Sequence, residues 1–469
     1  MRADPPRGGQ GSDAVSTDRL MVGVSGVRGT IGTTLTPAVA CDFGAAFGTM
    51  LGAGKTVVIG RDGRTSGPMV RNAVTAGLLA CGVNAIDLDI ATTPGVALMT
   101  SHLGADGGVV ITASHNPAPY NGIKFLQPSG TGLTDDDAGK LKDIWAARQF
   151  ALVDADRQGA ASSDATTHAV HIDTICSMTD VTGVADKRFK VVLDSVNGAG
   201  CIVTPMLLSK LGCEVVHLNG EATGRFAHPP EPIEENLGEL CAAVRKHAAA
   251  VGFAQDADAD RLAIVDENGA FIGEEYTLAL AAAFVLRKRT GALATNLATS
   301  RMIDDLAAAA GCRVVRTPTG EANVVEGLLR EGAIFGGEGG GGVIDPRVVP
   351  VRNSLVGMAM ILQQMAETGK TITRLVADIP RYVMIKTKFP CPADAAEKVA
   401  AAAREAFAAR EGASFNDADG LRIDLPEGWV CARASNTEPI MRIIAEAPTQ
   451  QAAESLIAEV AALARPFVD

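Results

Sequence analysis

Short apolar runs alternate with helix-length stretches along most of this chain, and that alternation is what most constrains its fold. Thr56–Ile59 reads as a strand, Val70–Cys81 as a helix and Ala85–Ile90 as the next strand. A second cycle runs from Phe189–Asp194 through a turn at Asn197-Gly198 and a helix near Val203–Leu211 to a strand at Glu214–Leu218. A third takes helices at Tyr276–Arg287, Met302–Ala310 and Asn323–Arg330, with strands at Leu293–Thr299, Arg313–Arg316 and Ala333–Phe335. Strands separated by such helices pair in parallel through right-handed crossovers. The cycles lie roughly a hundred residues apart, the size of a small domain.

The last part differs. Lys386–Phe389, Leu421–Leu425, Trp429–Ala434 and Met441–Ala445 read as strands between two alanine-rich helices, Asp394–Arg410 and Gln450–Arg465. The expected fold class is α/β: three tandem α/β domains with mixed, mostly parallel sheets, then a C-terminal α+β domain with an antiparallel sheet. The expected boundaries are a disordered polar tail over 1–18, then units at 19–160, 161–255, 256–375 and 376–469. The stretch Asp154–Thr167 and the segment around Ile379-Pro380 are the candidate linkers.

Bulk properties narrow the function. The 469 residues carry a net charge of −12, which disfavours nucleic acid and anionic membranes as partners. Nine cysteines occur without a C-x-x-C pair, as in a reduced, cytoplasmic enzyme. No apolar stretch is long and uncharged enough to cross a bilayer, and the polar start lacks the apolar core of a signal peptide. The expected partner is a small molecule, and the expected state is monomer or homodimer.

Four segments carry chemistry. Thr112-Ala113-Ser114-His115-Asn116-Pro117 follows the apolar run Gly108–Ile111, so a buried strand delivers a serine onto a turn that Pro117 stops. That is where an α/β protein places a nucleophile; an ordinary loop whose Ser and Asn satisfy backbone groups fits the hexapeptide equally well. Asp256-Ala257-Asp258-Ala259-Asp260-Arg261 puts three carboxylates on one side of an extended backbone. Together they ask for a cation, and oxygen donors suit Mg²⁺, Mn²⁺ or Ca²⁺. An EF-hand fits poorly because Arg261 stands at its glycine position and an apolar run follows; a solvated acidic turn is the remaining alternative. Three aspartates leave Mg²⁺ short of ligands, and a phosphorylated Ser114 could add one. The run Gly336–Gly342 lacks the context of a dinucleotide or P-loop motif; it reads as a flexible loop carrying one carboxylate, Glu338, or as a bare linker. Arg433-Ala434-Ser435-Asn436-Thr437-Glu438-Pro439, with Arg442 beyond, offers the guanidinium and hydroxyl donors a phosphate dianion needs, or else a plain hairpin.

With these segments in this order and spacing, the chain from Leu20 onward resembles the α-D-phosphohexomutases. Ser25–Gly29, Gly60–Ser66 and Tyr120–Lys124 also resemble family segments. The resemblance implies four domains around a central cleft, each contributing one motif. It implies that Ser114 is a phosphoserine, that Asp256, Asp258 and Asp260 hold Mg²⁺ together with it, and that Arg28, His115, Lys124 and Arg261 line the reacting end. It assigns Glu338 and the Gly340 position to sugar contacts and Arg433, Ser435, Asn436, Thr437 and Arg442 to the non-reacting phosphate. Many relatives carry Ser and His where this chain has Gly340 and Gly342, so the sugar loop looks more like that of the phosphoglucosamine mutase branch. The implied reaction interconverts hexose or hexosamine 6- and 1-phosphates through a 1,6-bisphosphate intermediate. The rival readings are a phosphatase using the same serine and metal, or a non-catalytic sugar-phosphate binding protein.

Overall fold

The computed structural model describes residues 19–24, 26–434 and 440–468. The first sheet contains β1 (Met21–Gly23), β2 (Gly26–Thr30), β3 (Thr56–Arg61), β4 (Asn84–Ile90), β5 (Gly107–Ile111), β6 (Tyr120–Leu126) and β7 (Ala161–Ser163), in the order β1-β2-β6-β5-β3-β4-β7. β5, β3, β4 and β7 are parallel neighbours, while β1, β2 and β6 join antiparallel. The second sheet, β8 (Lys190–Asp194), β9 (Glu214–Leu218), β10 (Val251–Gln255) and β11 (Leu262–Val265), runs β11-β10-β8-β9. The third, β12 (Leu293–Asn296), β13 (Val314–Thr317), β14 (Phe335–Glu338) and β15 (Gly342–Ile344), runs β13-β12-β14-β15. The fourth, β16 (Val383–Pro390), β17 (Ser414–Asn416), β18 (Leu421–Leu425), β19 (Gly428–Ala434) and β20 (Ile440–Ala447), is antiparallel throughout in the order β16-β20-β19-β18-β17. This is the expected class of three α/β units and one α+β unit.

Several expectations need correcting. The stretch Asp154–Thr167 is not a free linker, because β7 within it pairs with β4 at the edge of the first sheet. A boundary at 255/256 would cut the hairpin in which β11 pairs with β10, since Leu262–Val265 buries its apolar side chains in the second unit. A boundary at 375/376 would split the helix Ile372–Ala377, whose Ile372 and Leu375 are buried. The Gly336–Gly342 run is not a flexible loop but the β14–β15 hairpin.

Alternation along β3 explains the layering. Val57 and Ile59 enter a core with Phe43, Phe47 and Val74, beneath the helices Pro37–Leu51 and Gly67–Ala80. Val58 faces the opposite way, with Val96 and Met99 of the helix Thr93–His102. Both faces are therefore covered, as a parallel sheet requires. The helices Pro37–Leu51 and Gly67–Ala80 nearly touch. A Cβ on Gly77 would lie 2.2 Å from the Cys41 carbonyl oxygen, so only glycine fits that crossing.

The core on the Val58 side continues through Leu193, Phe253, Leu278 and Leu355, joining the first three units. The fourth unit has its own core around Phe407, Val430 and Ile443. It docks on the third through polar contacts: Arg422 donates to the carbonyl of Leu297, and Glu446 accepts from the Arg301 N–H at 2.9 Å. No helix among the described residues is long and apolar enough to cross a membrane.

His171 sits where the first three units meet. Its Nε2 lies 2.9 Å from Asn353 Nδ2, while Asn353 Oδ1 caps the helix Ser354–Thr368 by accepting from the Leu355 N–H at 3.1 Å. The cap fixes the amide, so Nδ2 donates and the imidazole must be neutral at Nε2. Burial lowers the His171 pKa from 6.5 to about 4. Between those values the unfolded chain binds the extra proton and the folded chain does not, so stability falls as pH drops from 6.5 towards 4. Urea denaturation across that window should show a falling midpoint, and His171→Leu should be less stable at neutral pH yet lose part of this pH slope.

Candidate active site

The serine turn begins where β5, buried along its length, leaves the sheet. Ser114 has φ 49°, a left-handed conformation costing a non-glycine residue about 1 kcal/mol or more. Arg64, itself buried, holds it there. Its Nη2 donates to the carbonyls of Ser114 (2.7 Å) and Asn116 (2.6 Å), and its Nη1 to those of Pro117 and Tyr120 (both 2.9 Å). Asp62 completes the brace. Its Oδ2 accepts from Arg64 Nε at 3.0 Å and from Thr112 Oγ1 at 2.7 Å, and Thr112 Oγ1 in turn accepts from the Ser114 N–H at 2.9 Å. The turn is thus pinned through its backbone, leaving the Ser114 hydroxyl for other work.

That hydroxyl donates to Asp256 Oδ2 at 2.9 Å and lies 3.3 Å from His115 Nδ1. Asp256, Asp258 and Asp260 occupy the β10–β11 connection, all fully buried. Asp256 Oδ1 accepts from the N–H groups of Asp260 and Arg261, each at 3.1 Å. Asp258 Oδ2 accepts from Thr93 Oγ1 at 2.6 Å and Lys124 Nζ at 2.8 Å, and Asp260 Oδ2 accepts from Arg352 Nη2 at 2.7 Å. Burial, together with Asp260 and Asp258, drives the Asp256 carboxyl well above its usual range. Burial acts the same way on Asp258, but the Lys124 ion pair outweighs it and holds that carboxyl below its usual range. Asp258 Oδ1 and Asp260 Oδ1 are buried with no partner among the described residues, and one carboxylate oxygen from each of the three aspartates lies within 4.8 Å of the other two. Unpartnered buried oxygens are costly. An all-oxygen donor set of three buried carboxylates fits a hard divalent cation.

The sugar-loop candidate faces this cluster. Glu338 ends β14 and is buried. Its Oε1 accepts from Asn296 Nδ2 at 2.7 Å and the Gly320 N–H at 3.1 Å, and its Oε2 accepts from Arg352 Nη1 at 3.1 Å. The Leu262 N–H donates to the Gly341 carbonyl at 3.0 Å, tying the two loops together. Gly340 and Gly342 bring no side chain to the cleft.

Arg28 donates from Nη1 to Asn116 Oδ1 at 3.3 Å, placing it against the serine turn. Arg261 Nη1 and His115 Nε2 both face Glu231 Oε1, at 3.7 and 3.9 Å. Burial, helped by the charges of Arg261 and Arg28, lowers the His115 pKa to about 4, so the imidazole is neutral at pH 7. Lys124 is buried, which opposes its charge, but Asp258 and Asp260 outweigh that and raise its pKa.

Arg433 and Arg442 are direct cross-strand partners at the end of the β19–β20 pair, and Lys388 of β16 is opposite Arg442. Three cations therefore share one face of the fourth sheet in a row. Arg433 Nη1 also donates to Asp419 Oδ2 at 3.1 Å. Ser435, Asn436 and Thr437 lie outside the described residues. Sequence reasoning missed Asp62, Arg64, Thr93, Glu231, Arg352 and Lys388. The segment Gly60–Ser66 stood out, but nothing in it revealed which carbonyls its arginine would meet.

Arg64→Lys keeps the charge and loses the planar fork that serves four carbonyls. The variant should lose on the order of 3 kcal/mol of stability to urea. It should also show faster hydrogen exchange at the Asn116 amide, which bonds the Ala113 carbonyl across the turn.

Comparison with known proteins matches all four units. Residues 19–152, 169–269 and 273–382 match the α/β/α domains I, II and III of phosphoglucomutase/phosphomannomutase, and residues 384–463 match its C-terminal domain. A phosphoglucomutase/phosphomannomutase of Thermococcus kodakarensis is 40% identical over 443 residues, covering 93% of this chain and 96% of that one. A probable phosphoglucosamine mutase of the same organism is 37% identical, covering 95% and 98%. The solved structure of a phosphoglucomutase/phosphomannomutase family protein from Burkholderia thailandensis superposes with a TM-score of 0.84 at 27% identity, covering 96% of this chain and 99% of that one. The chain belongs to the phosphoglucomutase/phosphomannomutase family, and it is an isomerase, a hexose-phosphate mutase.

Proposed function

We propose that the chain interconverts the 6- and 1-phosphates of glucosamine through a phosphorylated Ser114 and a 1,6-bisphosphate intermediate. The observation that carries this reading is the meeting of the Ser114 hydroxyl with Asp256, beside two unpartnered carboxylate oxygens. In the first half-reaction the bond between phosphorus and Ser114 Oγ breaks as a sugar hydroxyl bonds to phosphorus. The hydroxyl's proton goes to a base, and Ser114 regains a proton. After the bisphosphate turns over, Ser114 takes back the other phosphoryl group.

Phosphoryl transfer depends on positioning and charge neutralisation more than on covalent help. Asp256, Asp258 and Asp260 would hold Mg²⁺, which supplies Lewis-acid neutralisation of the transferring group. Lys124 and Arg28 add fixed positive charge. The neutral imidazole of His115, 3.3 Å from Ser114 Oγ, can accept the hydroxyl proton, whereas a charged Lys124 cannot. Arg433, Arg442 and Lys388, with Ser435, Asn436 and Thr437, would anchor the phosphate that is not reacting. A fixed anchor lets either end of the sugar reach Ser114 at one distance. Glu338 would accept hydrogen bonds from the sugar hydroxyls.

The glucosamine assignment is supported by the names of the relatives at 35–38% identity and by the glycine-rich sugar loop. A glucose or mannose assignment is supported by the relative at 40% identity. Comparing kcat/KM for glucosamine, glucose and mannose 6-phosphates, with Mg²⁺ and a trace of the bisphosphate, decides between them, and glucosamine 6-phosphate should rank first. Ser114→Ala should lose nearly all mutase activity and all protein-bound phosphate. Chelation of Mg²⁺ should abolish turnover of the intact protein and restore it on readdition. Release of inorganic phosphate as the main product would instead assign a phosphatase.

A further inference from the structure

Arg352 stands between two loops that the reaction proposed above uses for different purposes. Nη2 donates to Asp260 Oδ2 at 2.7 Å, and Nη1 donates to Glu338 Oε2 at 3.1 Å. Its own backbone N–H is held by Glu321 Oε1 at 2.6 Å, and Glu321 Oε2 lies 3.6 Å from Nη2. One planar fork thus spans a metal-loop carboxylate and a sugar-loop carboxylate, a task a lysine ammonium cannot perform in both directions at once.

The sugar loop is shaped around this side chain. A Cβ at Gly342 would lie 2.4 Å from Arg352 Cδ and 3.0 Å from its Cγ. Gly342 is absent from the positive-φ residues, so its backbone would accept any side chain. Space for the Arg352 stem is therefore what requires glycine there. The contacts also divide the oxygens of Asp260. Oδ2 is taken by Arg352, while Oδ1, like Asp258 Oδ1, is buried with no partner among the described residues. Partners in the layer behind a ligand set its orientation and its affinity for the ion.

We propose that Arg352 is a positioning residue shared by both loops. It fixes Asp260 with Oδ1 free for the cation and fixes Glu338 for the sugar, so that affinity for the cation and affinity for the sugar phosphate rise and fall together. This rests on the reading of Asp256, Asp258 and Asp260 as the cation site and of Glu338 as a sugar contact.

The test uses the full-length chain and two measurements: Kd for Mg²⁺ alone by calorimetry, and KM against kcat for glucosamine 6-phosphate at saturating Mg²⁺. Arg352→Met should weaken Mg²⁺ binding about tenfold or more and raise KM, with Arg352→Lys between it and the parent. Gly342→Ala leaves every charge in place and pushes on the Arg352 stem; it should shift both constants in the same direction, and it carries the comparison if Arg352→Met does not fold. Arg289→Met removes another arginine from a buried carboxylate, Asp345, which Arg289 Nη2 contacts at 3.2 Å. It should lower stability and move neither constant, which separates positioning from general destabilisation. The proposal is overturned if Arg352→Met or Gly342→Ala changes only one of the two constants, or neither. If the parent chain does not bind Mg²⁺ at all, the cation-site reading fails and takes this proposal with it; a parent that binds Mg²⁺ with variants unchanged sinks the Arg352 role alone.

Discussion

Three carboxylates with no exposure to solvent cannot stand together on one loop unless other parts of the chain bring charge to them. Asp256, Asp258 and Asp260 are in that position. The first unit answers with Lys124, Thr93 and the Ser114 hydroxyl, and the third answers with Arg352. The hairpin that carries the aspartates belongs to the second unit. Convergence of three units on one point is thus an electrostatic requirement as much as a matter of packing. Among the described residues the compensation stops short, with Asp258 Oδ1 and Asp260 Oδ1 unserved. Three buried carboxylates that converge in this way suit a hard divalent cation.

The apolar architecture follows the same division. One core runs without a break through the first three units, which hold the serine, the aspartates and Glu338. The fourth unit closes its own core and meets the third through Arg422, Arg301 and Glu446. Reacting groups must be held to a fraction of an ångström, and a shared core does that. The phosphate anchor proposed above needs charge at a set distance, and a separately folded sheet with Lys388, Arg442 and Arg433 in register would provide it.

Much of this was legible in the sequence, because strands buried on both faces leave continuous apolar runs and helices leave periodic ones. Glu214–Leu218 and Leu421–Leu425 fall on their strands residue for residue. The acidic triplet and the serine turn declared themselves because their chemistry is local. What stayed hidden depends on partners distant along the chain. Arg64 meets carbonyls more than fifty residues away, and no pattern at Gly60–Ser66 encodes that meeting. β7 looked like a linker because its three residues are exposed at a sheet edge and need no apolar side chain. The glycine run looked mobile because glycine is uninformative about pairing. Its order comes from Arg352, Asn296 and the ladders of β14 with β12 and β15, none of which its own composition reveals.

The charge balance explains how an acidic protein can serve a doubly anionic substrate. Net charge acts at long range and is screened within about 10 Å, so binding is decided by what lines the cleft. At the proposed anchor the cations share one sheet face, and among the described residues Arg433 shares its charge with a carboxylate, Asp419. At the proposed reacting end Lys124 and Arg352 are already committed to carboxylates, so they would neutralise the protein before a phosphoryl group. Asp256, Asp258 and Asp260 would hold a divalent cation there, which would supply the charge neutralisation that Lys124 and Arg352, paired with those carboxylates, give only in part. His115, held neutral by burial and by two neighbouring guanidinium groups, is a nitrogen base in this crowd of fixed charges that would receive a proton without first giving one up.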